Sequence, residues 1–136
     1  MRTNIPDRII RAIHAYSPWA CETVQVVVEC RRLANGRIVS SLTVRYKGFA
    51  IACYDSETGT LSIIRCHNFD GMAAARINSV LRAFKLNERL AYHKGECLIL
   101  TSDANVPMEP YDVFNLYVPI DNRPVVPYYG LQLTDN

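Results

Sequence analysis

Lysine is scarce in this chain. Of its fifteen cations only Lys47, Lys85 and Lys94 are lysines and the other twelve are arginines. The flexible ammonium surface of many soluble domains is therefore largely missing, and charge is carried by planar groups suited to bidentate pairing with carboxylate, phosphate or aromatic partners. Charge of one sign is also lacking. Fifteen basic side chains nearly cancel thirteen acidic ones, leaving a net +2, too little for a duplex binder that works by neutralising several phosphates. Apolar runs are only a few residues long, far below the ~20 that a membrane-spanning helix needs. Arg2, Asp7, Arg8 and Arg11 interrupt any apolar signal region, so a cytosolic location is expected.

Catalytic signatures are missing as well. There is no Gly-rich phosphate loop, no H-E-x-x-H, no G-x-S-x-G and no pair of C-x-x-C motifs. The five cysteines (Cys21, Cys30, Cys53, Cys66, Cys97) are odd in number and far apart. They predict thiols packed as small hydrophobes in a reducing compartment, not a disulfide framework. Cys66-His67 is the only adjacent pair of soft ligands, and a zinc site would require distant Cys53 and His93 to converge on it. Glu22, Glu29, Asp55, Glu57 and Asp70 lack two-metal spacing. The expectation is a non-enzymatic protein with no catalytic residues, no metal and no cofactor.

What the chain does have is one domain's worth of residues, 136 with 49% apolar, enough for a single core. Asn4 to Tyr16 reads as a short amphipathic helix, capped by Asn4, with Ile9, Ile10 and Ile13 on its apolar side and Ser17-Pro18 as its stop. From Cys21 to Cys66 the period changes to two. Val24, Val26 and Val28, then Leu42, Val44 and Tyr46, flank the hairpin signal Asn35-Gly36. Lys47-Gly48 and the polar turn Asp55 to Gly59 lead into two more strands, which predicts a four-stranded meander.

Asp70-Gly71 opens a second helix running to about Lys85, with Ala73, Ile77, Val80, Leu81 and Phe84 on one stripe. A hairpin follows over Arg89 to Leu100, then a strand over Asp112 to Tyr117. The predicted fold is α+β, an antiparallel sheet of about five to seven strands carrying one main helix and a short N-terminal one. Residues 1–118 form the domain, and 119–136, rich in Pro and Tyr, form an extended arm that packs on its own domain or on a second subunit.

Leu42 to Leu100 resembles small uncharacterised proteins of tailed bacteriophages and prophages. In these a V-R-[YLF]-[HK]-G strand precedes an apolar strand with I-A and a helix bearing R-[IL]-N. The matching residues are Val44-Arg45-Tyr46-Lys47-Gly48, Ile51-Ala52 and Arg76-Ile77-Asn78 with Leu81. Where that family has threonines ahead of the helix, this chain has Asn68 to Ala75, so only Asp70 can cap and an anion there would meet a carboxylate. The resemblance implies a phage-encoded protein acting in the host cytoplasm.

Arginine together with eight tyrosines supplies the residue types that dominate protein interfaces. The candidate binding residues are Arg76, Asn78, Arg82, Arg45, Tyr128 and Tyr129. The expected function is binding of a host protein to blunt a defence system, with self-association through the arm. The same side chains stack on bases and pair with phosphates, so a nucleotide or nucleic-acid binding module is the alternative.

Overall fold

The computed structural model describes residues 4–127 with their side chains and the backbone of residues 133–135. Helix α1 (Ile5–Ala15) starts where the Asn4 side chain accepts from the Asp7 amide at 3.3 Å, with proline in its first turn. It ends just before the expected Ser17-Pro18 stop. Tyr16 turns left-handed at φ 51°, and the Tyr16 and Ser17 amides donate to the carbonyls of Ile13 and Ala12.

The predicted meander is present as β2 (Val24–Arg32), β3 (Ile38–Tyr46), β4 (Phe49–Asp55) and β5 (Thr60–Ile64). Strand β1 (Trp19–Cys21), which period alone did not reveal, pairs with the start of β2, and β9 (Val113–Tyr117) closes the antiparallel order β1-β2-β3-β4-β5-β9. Alternation puts one row across the whole sheet on the inner face, Val26, Val44, Ala52, Ile63 and Phe114, and the next row is Val28, Leu42, Tyr54, Leu61 and Leu116. The outer row between them, Val27, Thr43, Cys53 and Ser62, is half-buried and mostly small or polar.

Helix α2 (Gly71–Ala83) lies on the inner face between α1, β4 and a second sheet. Its expected stripe is buried without exception: Ala73, Ile77, Val80, Leu81 and Phe84 are all fully covered. Phe84 meets Tyr54 at a ring separation of 4.8 Å, which ties the helix end to the sheet. The second sheet, β6 (Arg89–His93), β7 (Glu96–Leu100) and β8 (Asn105–Pro107), extends the predicted hairpin by one strand and forms a sheet of its own.

The expected arm starts at residue 119, beside the end of β9 (Val113–Tyr117). Val118 is fully buried, Asn122 donates its side-chain amide to the Lys85 carbonyl, and Arg123 Nε donates to the Val118 carbonyl at 2.9 Å. The Arg123 guanidinium also lies where a Cβ on Gly59 would stand, and Gly59 has φ 70°. Strand β10 (Leu133–Asp135) then pairs in parallel with Cys30–Arg32 of β2. These described parts of the arm pack on their own chain, the first beside the end of β9 and the second along β2.

Candidate functional site

The sequence-derived candidates do not form one site. Arg45 is exposed on the outer face of β3, whereas Arg76, Asn78 and Arg82 belong to a helix on the inner face. Arg76 and Arg82 are six residues apart, which on an α-helix is about 9 Å along and about 120° around the axis. Arg82 is exposed in the last turn. Arg76 is half-buried, and its Nε is covered with no hydrogen-bond partner.

Asn78 has a structural use. Its amide donates to the Leu90 carbonyl at 3.0 Å and its oxygen accepts from the Leu90 amide at 2.8 Å, holding β6 against α2 as a neighbouring strand would. Tyr128 and Tyr129 lie outside the described residues. The arginine that joins the two sheets is Arg65, which the pattern did not single out. Its guanidinium donates to the carbonyls of Met108 (2.6 Å) and Gly95 (2.9 Å) and faces the Tyr92 ring. A cleft of about 320 Å³ beside it is thereby occupied at one wall by a cation already paired with backbone.

The structure gathers a different group, at the end of the sheet formed by the Lys47-Gly48 turn and the exit of β5. Phe49, His67 and Tyr111 come from three distant parts of the chain. Phe49 is 44% exposed and Tyr111 66% exposed, although large rings are normally covered. The Tyr111 hydroxyl and His67 Nδ1 are 3.1 Å apart, with ring planes 8° from parallel. Atoms lying in the two planes are thus 3.1 Å apart, so the planes are separated by about that distance or less, and the 6.5 Å centroid separation is mostly sideways. The two rings are nearly parallel and offset sideways, so together they form a stepped platform. Phe49 stands against His67 at 5.5 Å and 57°, a wall beside the floor.

Backbone geometry holds Tyr111 in place. Its amide donates to the Arg65 carbonyl at 2.8 Å, while the Arg65 amide donates to the Asp112 carbonyl at 3.0 Å. Two residues therefore face one, a bulge at the entrance to β9 whose first position is left-handed at φ 71°. Glycine is the usual residue there, and a bulky side chain in this region is strained. The Asp112 carboxylate accepts from the Glu109 amide at 2.8 Å, which braces the loop.

Charges around the rings are mixed. Lys47 lies over the Tyr46 ring and 3.7 Å from Asp70, whose two oxygens accept from the Ala73 amide and the Tyr46 hydroxyl. Asp112 adjoins Tyr111 in the chain, and Met72 in the first turn of α2 is also exposed. Cys66 precedes His67 but is no activated nucleophile, because burial is the main force raising its pKa and the Asp70 charge adds to it, partly offset by a backbone hydrogen bond. Burial also raises the thiols of Cys30 and Cys97. Among the described residues no group of three or more His, Cys, Asp or Glu is placed to hold a metal, and no helix is long and apolar enough to cross a membrane.

Chain separation explains why the platform escaped sequence reading. Phe49 reads as a strand residue, His67 as a strand-end surface residue and Tyr111 follows Glu109-Pro110 with no periodic signal. Comparison with protein-family models, with curated proteins and with solved structures finds no match to this chain.

Proposed function

We propose that this is a non-enzymatic binding protein whose contact surface is the Phe49, His67 and Tyr111 platform. Its partner is a protein, and the phage-like pattern around Val44 to Gly48 and Arg76 to Asn78 makes that partner a host protein in the host cytoplasm, with blunting of a defence system as the role. Tyr111 is the observation that carries the reading. A left-handed tyrosine costs about 1–2 kcal/mol relative to glycine, and here that cost brings little burial, only a ring held flat in solvent. Strained backbone clusters at binding and catalytic sites, and of the two left-handed tyrosines among the described residues Tyr16 is buried at a helix end whereas Tyr111 is exposed. Exposed rings rimmed by both signs of charge are also the usual make-up of a protein interface.

Asp70, Asp112 and Glu109 near the platform disfavour a phosphate chain, which argues against nucleic acid as the main partner. One observation favours the second reading: exposed, near-parallel rings can stack on a nucleobase, and Arg45 and Lys47 are exposed near this end. Protein purified from cells with a 260 nm excess would support that reading.

The test uses wild-type protein and Tyr111→Gly as baits on a lysate of bacterial cells. The variant should melt at a higher temperature, because strain is relieved, and should lose a partner that the wild type retains. A variant that captures the same partner equally well would remove the platform from the function.

A further inference from the structure

The two edges of the main sheet are treated differently. Along β2 the chain covers its own edge: β1 pairs with Val24–Val26 and β10 with Cys30–Arg32, and both are only three residues long. Short strands are one of the ordinary defences against edge-to-edge association. The opposite edge is β9, with the sequence Val-Phe-Asn-Leu-Tyr. It holds no charge, no proline and no bulge within the strand, and nothing among the described residues pairs with its outer side.

The hydrogen-bond phase of β9 follows from its flanks. The Val118 amide donates to the Gly59 carbonyl and the Arg65 amide to the Asp112 carbonyl. In an antiparallel ladder bonded pairs alternate, so residues 112, 114, 116 and 118 point their backbone groups at β5. Val113, Asn115 and Tyr117 therefore point theirs outward. Pro119 comes next in that outward series and has no N–H, so the open ladder stops at Tyr117.

We propose that β9 is a dimer seam: a second copy of this chain pairs antiparallel to it about a two-fold axis at Asn115. The edge is self-complementary in that register. Asn115 meets Asn115 of the second copy, and Val113 meets Tyr117, each pair exchanging both backbone hydrogen bonds. The outward donors and acceptors are thereby used on both strands. On the outer face Val113 and Tyr117, 56% and 64% exposed, form a β-branched–aromatic cross-strand pair at each end. On the inner face half-buried Phe114 and Leu116 are set opposite each other and continue the core rows into the partner. No like charges oppose, since Asp112 faces Val118. A two-fold axis makes the contact close after two copies, so it yields a dimer and not a fibre. The inference is independent of the platform reading, because Tyr111 lies outside the paired residues.

The full chain is measured by analytical ultracentrifugation. Wild type should sediment at twice its 15.4 kDa mass. Asn115→Lys places two ammonium groups across the axis, at a Cα separation of about 5.5 Å, and Asn115→Asp places two carboxylates. Each variant alone should dimerise about tenfold more weakly or worse, and an equal mixture should recover the dimer, because only residue 115 faces its own copy. Thermal melts of each variant check folding. If a variant does not fold, hydrogen exchange on wild type decides: the amides of Val113, Asn115 and Tyr117 should become protected as concentration rises. A monomeric wild type, a dimer that Asn115→Lys leaves equally tight, a mixture that fails to associate, or unprotected amides in a dimer would overturn the proposal.

Discussion

Asn78 and Arg76 stand two residues apart on α2 and differ in how their polar atoms are satisfied. Asn78 ties the Leu90 backbone to the helix through both its donor and its acceptor, and Leu90 is buried. Truncation to alanine orphans a donor and an acceptor away from water, so Asn78→Ala should destabilise the fold by about 1–3 kcal/mol in urea unfolding. Arg76 has a covered Nε with no partner. Arg76→Met keeps the aliphatic packing and removes the orphan donor, and should raise stability by up to about 1 kcal/mol, with Arg76→Ala below it because the stem contacts are lost. Thermal melts of the two variants side by side check the order. Both residues are half-buried, whereas Arg45 and Arg82 are the exposed cations among the described candidates.

At the scale of elements, Asp70 reaches across two of them. One oxygen caps α2 through the Ala73 amide at 2.8 Å, and the other accepts from Tyr46 and faces Lys47 at the β3–β4 turn. Helix start and hairpin are thus fastened by a single carboxylate beside the ring platform. Asp70→Ala should cost about 1–2 kcal/mol in urea unfolding, mostly through the cap, since the Lys47 pair is largely solvated and adds little. Asp70→Asn retains an acceptor for the amide and should recover most of that loss. The same carboxylate explains why this helix start does not read as an anion site.

For the whole molecule, the cysteines set an alkaline limit. Burial lifts the thiols of Cys30, Cys66 and Cys97 above the ordinary value of 9.0. In the window above that value the native chain keeps protons that the unfolded chain has shed, so stability falls as pH rises. Below pH 9.0 the contribution is fully present. Urea midpoints taken across pH 8 to about 10.5 should fall, and Cys97→Ala should flatten the slope while lowering the starting stability. An unchanged slope in that variant would remove Cys97 from the effect.

Period and turn chemistry are local, which is why so much of the architecture was legible. The alternation from Val24 to Tyr46, the Lys47-Gly48 turn, the Asp70 cap and the Ile77 to Phe84 stripe each depend on residues close in sequence, and each appears where it was expected. Three things needed the tertiary structure. Strand β1 is too short to show a period and exists because β2 offers it an edge. The small sheet is a layer of its own, held to α2 by Asn78 and to the exit of β5 by Arg65, contacts between residues far apart in sequence. The ring platform unites Phe49, His67 and Tyr111, which no spacing connects. Sequence by itself determined which segments become helix or strand and which faces turn inward, because those choices follow from nearby side chains competing for burial. Only the folded chain decided which surface residues become neighbours, because that follows from strand order and from a left-handed bulge formed where β5 and β9 pair.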